Sequence, residues 1–176
     1  MPTFNTENKK QRQRSDYPFF LSYRTRWSDN DQYAHVNNAV YYHLFDAVVN
    51  TYLIERCGLD PTKSEHIGLV VSSFCEFFSP LSFPDVLDLG LRVTKLGKSS
   101  VTYEVGVFKA RTPDMDSGSE KTDSQSSPAL DAPAAVGGYT HVFVDNTSRR
   151  SITMGDRMRS GLMRLTQADS GRASKL

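Results

Sequence analysis

The sequence predicts an α+β domain in which one long buried helix packs against strands joined by tight turns. Three observations predict it. The run Asn38–Cys57 is apolar over most of a helical circumference. Segments on either side of it alternate apolar and polar residues at the two-residue period of strands. A polar loop from Arg26 to Asn38 joins the first such segment to the helix and carries two carboxylates and a histidine.

The totals fit that picture. A chain of 176 residues with ordinary composition makes one globular domain plus irregular segments. A formal net charge of +1 gives no field that would draw nucleic acid. No apolar run is long enough to span a bilayer, and the polar, basic N-terminus is no secretory signal. Cys57 and Cys75 lie far apart with no CxxC, so both read as reduced, buried thiols in a reducing compartment.

Residues 1–16, with Lys9, Lys10, Arg12 and Arg14, read as a disordered, solvated tail. The domain is expected over residues 17–168. In its first strand Phe19, Leu21, Tyr23, Thr25 and Trp27 alternate with Ser22, Arg24 and Arg26.

The helix follows the loop. Val40, Leu44, Ala47, Val48 and Thr51 form one stripe, and Tyr41, Phe45, Val49 and Tyr52 a second beside it. His43, Asp46 and Asn50 leave only a narrow polar edge, so the helix is buried. Asn37 or Asn38 is the expected N-cap. Gly58 suits the left-handed position past the last turn, with Leu59 as the apolar residue after it and Pro61 preventing continuation.

Strands come next. Ile67 to Phe78 is apolar enough to read as a central strand buried on both faces. Leu87, Leu89, Leu91 and Val93 alternate with Asp88, Gly90, Arg92 and Thr94, which buries one face. Leu96 to Ser99 reads as a hairpin turn, and Val101, Tyr103, Val105 and Val107 as its partner strand. Residues 111–138 are rich in Ser, Asp, Pro, Gly and Ala and read as a flexible insertion. The sheet is expected to resume at Tyr139 and run to about Val144, with His141 and Phe143 on one face. A short amphipathic helix is expected from about Gly155 to Thr166, burying Met158, Leu162 and Leu165.

The tail 169–176 ends in Ser174-Lys175-Leu176, the tripeptide read by the peroxisomal import receptor. That predicts a peroxisomal location if these residues end the natural chain, and a cytoplasmic one otherwise.

The loop carries the chemistry. Arg26-Trp27-Ser28-Asp29-Asn30-Asp31, then His35-Val36-Asn37-Asn38 and Tyr41-Tyr42, resembles the signature loop of the 4-hydroxybenzoyl-CoA thioesterase family. The likeness spans Tyr17 to Lys109, and more loosely Val136 to Leu165. It implies the hotdog fold, an antiparallel sheet wrapped around one long central helix. Ala34 stands where the family has glycine.

The resemblance implies an acyl-CoA thioesterase, releasing free acid and coenzyme A, with coenzyme A as part of the substrate and no separate cofactor. It makes Asp31 the nucleophile or general base and gives His35 an orienting role. N–H groups from His35 to Asn38 would hold the oxyanion, aided by the helix dipole. Ala34, Val36, Asn37, Asn38 and Tyr41 would contact the substrate. Ser72 and Ser73, and the rings of Phe45, Phe74, Phe77 and Phe78, are further candidates for the acyl channel. Arg157, Arg159 and Arg164 are candidates for the coenzyme A phosphates. Asp29 reads as mainly structural, holding an arginine such as Arg26.

The family assembles by joining sheets edge to edge, which implies a homodimer or homotetramer. His43, His66 and His141 show no metal-ligand spacing, and there is no GxSxG serine motif. Two other readings share the fold. Hotdog hydratases place an aspartate five residues before a histidine, whereas His35 follows Asp31 by four and Asp29 by six. A non-catalytic acyl-CoA binder is the other, and Ala34 is the feature that favours it.

Overall fold

The computed structural model describes residues 9–110 and 132–166. Its elements are β1 (Phe19–Arg24), α1 (Asn38–Cys57), β2 (His66–Phe77), β3 (Val86–Leu96), β4 (Ser100–Lys109), β5 (Ala135–Asp145) and α2 (Asp156–Met163). The strands form one antiparallel sheet in the order β1-β3-β4-β5-β2. This is the α+β arrangement the sequence predicts, with α1 lying across one face.

The ends of α1 are set locally, which is why they were legible. Asn37 caps it, its Oδ1 accepting the Ala39 N–H at 2.9 Å. Gly58 takes φ 76° and stops it, and the Leu59 N–H then donates to the Leu53 carbonyl at 3.0 Å. Leu44, Phe45, Val48, Val49 and Leu53 are buried against Leu87, Leu89 and Leu91 of β3 and Val105 and Val107 of β4. Among the described residues no helix is long and apolar enough to cross a membrane.

Four expectations needed correction. The apolar run of β2 is not a central strand buried on both faces. Among the described residues it is an edge strand, paired only with β5, and Val70 and Val71 are 51% and 60% exposed in the single chain. Strand sequence reports how well residues suit a pleated, partly buried surface, not on how many sides the strand is paired. Second, β1 stops at Arg24; Trp27, expected at its end, opens a 3-10 turn over Trp27–Asp29 with its ring 80% exposed against Phe83.

Third, β5 begins at Ala135, four residues before the expected resumption. Small residues occupy that stretch because Phe45 needs the space. A Cβ on Gly137 would stand 2.4 Å from the Phe45 ring.

Fourth, residues 9–16 are ordered. They form two 3-10 turns across the outer face of the sheet. The reason is a buried carboxylate. Glu104 Oε1 receives Arg12 Nε at 3.0 Å and the Tyr17 hydroxyl at 3.2 Å, with Arg92 Nε 2.9 Å away. Arg14 reaches Asp88 at 2.7 Å. A buried carboxylate left unpaired costs several kcal/mol, so the basic segment is pulled onto it. Residues 1–8, most of the 111–138 insertion and the Ser174-Lys175-Leu176 tail lie outside the described residues.

Candidate active site

The Arg26–Asn38 loop is built from the inside outward. Asp29 is 1% exposed and acts as its anchor. Its Oδ2 accepts the Arg26 N–H at 2.7 Å and the Tyr23 hydroxyl at 3.2 Å, and its Oδ1 accepts Arg26 Nε at 3.2 Å. Its carbonyl takes the Asn37 N–H at 2.8 Å. These bonds fix where α1 begins. The structural role read for Asp29 is thus given concrete partners.

Asp31 sits one turn outward, half-exposed. Its N–H donates to the His35 carbonyl at 2.8 Å, and the Ala34 N–H donates to the Asp31 carbonyl at 3.1 Å. Its Oδ1 accepts the N–H groups of Tyr33 at 2.8 Å and His35 at 3.3 Å. Oδ2 has no hydrogen-bond partner among the described residues. The carboxylate is therefore held by one oxygen and offers the other.

Closing so tight a loop requires a left-handed residue, and Ala34 supplies it at φ 62°. This conformation costs an L-residue with a Cβ roughly 1–2 kcal/mol. The backbone geometry of a glycine is kept without the glycine. A φ below zero, which alanine would prefer, is not what the loop adopts.

Beside the loop lies a cleft of about 300 Å³ lined by His35, Val36, Asn38, Tyr41, Phe77, Phe78, Ser79, Pro80 and Leu81. Its two walls are stapled together. The Val36 N–H donates to the Leu81 carbonyl at 2.7 Å, and the Phe83 N–H to Asn30 Oδ1 at 3.0 Å. Tyr41 packs edge-on to Phe77 at 4.9 Å between ring centroids. Burial, with Cys75 as a lesser cause, pushes the Tyr41 phenol up to about 12, so it lines the cleft as a neutral group.

The predicted N–H donors do not all remain open. Those of Val36 and Asn37 are spent on the Leu81 and Asp29 carbonyls, and that of His35 on Asp31. The Asn38 N–H, at the first turn of α1, has no acceptor among the described residues, and its residue lines the cleft. Asp31, Ala34 and Asn37 lie outside the cleft lining; Asp31 stands on the loop beside it, Ala34 forms the turn and Asn37 the cap.

Other candidates are dispersed. Ser72 and Ser73 are exposed on the β2 edge, and Phe45 is fully buried core. The wall Ser79–Leu81 went unread as site, though the Ser79-Pro80 break was its signal. The three arginines stand at the wrong end. α2 packs on the last turns of α1, where the Tyr52 hydroxyl donates to the Gly161 carbonyl at 2.7 Å. A 20-residue helix puts that about 30 Å from the Asp31 loop of the same chain. Arg159 Nη1 donates to the Gly97 carbonyl at 2.7 Å.

Comparison with known proteins places this geometry. The model of the thioesterase superfamily matches residues 33–114, from the loop through β4. The PA5185 protein of Pseudomonas aeruginosa strain PAO1 is 42% identical, with a TM-score of 0.75 over 88% of this chain and 95% of its own. A protein of Aquifex aeolicus that bears a provisional esterase name is 26% identical over 95 residues, 52% of this chain and 73% of its own. Slr0204, a 1,4-dihydroxy-2-naphthoyl-CoA thioesterase from Synechocystis, shares the fold at 13% identity. Its TM-score is 0.65 over 82% of this chain and 95% of its own. A single helix capped by this loop and wrapped by this sheet, shared almost end to end with these structures, makes the chain a hotdog-fold member of the thioesterase superfamily.

Proposed function

We propose that the chain hydrolyses acyl-CoA thioesters. The observation that carries the reading is one short loop that holds a carboxylate with a free oxygen, Asp31, and leads into a cleft where the helix N–H of Asn38 is open. The thioester carbonyl lies against Asn38, whose N–H and the start of the α1 dipole stabilise the oxyanion. Asp31 Oδ2 takes a proton from the attacking water, or attacks the carbonyl itself. His35, at the cleft rim, orients the water or the thioester. The products are a free acid and coenzyme A.

The active form is a homo-oligomer joined through the open edge of β2. An edge strand of 12 residues with exposed Leu69, Val70 and Val71 is a template for a second copy. Antiparallel pairing about a two-fold axis sets the start of one α1 near the end of the other. Where Ser174-Lys175-Leu176 end the natural chain, they direct the enzyme to the peroxisome. A fluorescent fusion that stays diffuse with this end free would sink that part.

The test is release of free thiol from short, long and aromatic acyl-CoAs, run beside Asp31→Asn. Release by the parent and its loss in the variant support the reading. Binding of acyl-CoA without release by the parent would make the chain a binder instead.

A further inference from the structure

The chain's single tryptophan stands on the surface. Trp27 opens the turn that leads into the Asp31 loop, and it is 80% exposed. An indole carries a large apolar area, and a fold that uses one for packing buries most of it. Among the described residues its ring partner is Phe83, edge-on at 5.8 Å between centroids and itself 37% exposed. Neither ring sits on a loose segment, because Asn30 ties the two together. The Asn30 N–H donates to the Trp27 carbonyl at 3.4 Å, and Asn30 Oδ1 accepts the Phe83 N–H at 3.0 Å. The Asp85 N–H then closes the Phe83 turn on the Ser82 carbonyl at 2.9 Å.

The charge beside this pair is positive. Arg24 and Arg26 precede Trp27 by three residues and by one, and both are exposed. The carboxylates nearby already have partners. Asp29 accepts from Arg26 and Tyr23, and Asp85 pairs with Lys109 at 2.7 Å. The Arg24 guanidinium has no carboxylate partner among the described residues, so its charge stands uncompensated. A rigid, exposed ring next to guanidinium groups suits a planar heterocycle that carries phosphate. The base stacks on the indole, and the phosphate oxygens take the guanidinium donors.

The loop itself measures how far this ring is from the cleft. The Asn37 N–H meets the Asp29 carbonyl at 2.8 Å. Asn38 and Trp27 are therefore separated by that bond and three residues of chain, no more than about 18 Å. The pantetheine arm of coenzyme A has the backbone length of about four extended residues, roughly 14 Å. The diphosphate and ribose beyond it carry the base past the remaining gap.

We propose that Trp27, braced by Phe83 and flanked by Arg24 and Arg26, receives the adenine nucleotide of coenzyme A, so that the carrier as well as the acyl group decides which thioesters are hydrolysed. The proposal rests on the thioesterase reading for the position of the thioester at Asn38. A thioester on a bare pantetheine arm reaches the same cleft but leaves the indole uncovered, and it loses the stacking and the phosphate contacts together.

Because Trp27 is the only tryptophan, the indole emission of the full chain reads this ring alone. Titration with adenosine bisphosphate, the nucleotide end of coenzyme A, is expected to quench it, and titration with pantetheine to leave it unchanged. Arg24→Gln should weaken the bisphosphate by about threefold. In thiol release, the preference for an acyl-CoA over the same acyl-pantetheine, taken as a ratio of kcat/KM, is expected to fall about tenfold in Trp27→Ala. Trp27→Phe keeps a stacking face and should hold most of that preference. A merely structural role would lower both substrates together and leave the ratio where it was. Three results would each overturn the proposal: emission of a buried indole in the free protein, as when a second copy covers the ring; no quenching by the bisphosphate; or a preference unchanged in Trp27→Ala. Quenching without release from any thioester sinks the thioesterase reading and leaves the nucleotide receptor standing. Release without quenching does the reverse.

Discussion

Asp31 and His35 hold each other by two hydrogen bonds: the Asp31 N–H donates to the His35 carbonyl at 2.8 Å, and the His35 N–H returns to Asp31 Oδ1 at 3.3 Å. This closed ring fixes the Asp31 carboxylate against the His35 backbone. It also separates the structural oxygen of Asp31 from the oxygen available for chemistry.

Asp31→Asn tests that separation. The amide oxygen can still accept from Tyr33 and His35, so the loop and the melting temperature should persist. Loss of the basic oxygen is expected to lower kcat by about 10²–10⁴-fold, read as thiol release. A folded variant with full turnover would remove Asp31 from the mechanism. Asp31→Ala loses both functions and should also loosen the loop.

Ala34 carries strain that a glycine would not. Ala34→Gly is expected to stabilise the fold by roughly 0.5–1 kcal/mol, the relief of the left-handed conformation exceeding the entropy that glycine restores to the unfolded chain. Urea denaturation reads this as a higher midpoint at unchanged slope. Ala34→Val should move the midpoint the other way.

Gly137 lies under Phe45 with no room for a methyl group; an added Cβ would also stand 2.7 Å from the Phe74 carbonyl oxygen. Gly137→Ala is expected to cost about 1–3 kcal/mol through overpacking. Combining it with Phe45→Leu should recover part of that loss, and the double-mutant cycle would show coupling. Additive losses would mean that the two sites do not press on each other.

His141 predicts acid sensitivity. Burial holds its folded-state value at about 4, below the ordinary 6.5. Below pH 6.5 the unfolded chain therefore binds a proton that the folded chain refuses. This contribution to stability is complete above pH 6.5, falls as pH drops toward 4, and is lost below it. The loss amounts to about 3 kcal/mol. Denaturation midpoints from pH 7 to 4 should fall less steeply in His141→Phe. Parallel curves for parent and variant would rule out the imidazole as the source.

The sequence by itself determined whatever depends on neighbours in the chain. The extent of α1 follows from its apolar periodicity, the Asn37 cap and the Gly58 stop, all of which act within a turn. The loop was legible for the same reason: Asp29, Asp31, His35 and Asn38 belong to one short stretch whose hydrogen bonds are mostly internal. Tertiary structure alone decided what depends on the residue across the gap. It made the apolar run of β2 an edge, because among the described residues no strand pairs with its other side. It drew Gly137 into β5 to fit Phe45, and it bound Arg12 to a glutamate 92 residues away. It spent two of the expected oxyanion donors on the Leu81 and Asp29 carbonyls and left Asn38 open. It also packed the rings of Tyr103, Tyr139 and His141, from two strands, against one another. Local spacing sets backbone conformation, but burial and hydrogen-bond satisfaction are set by which distant groups share the same few ångströms.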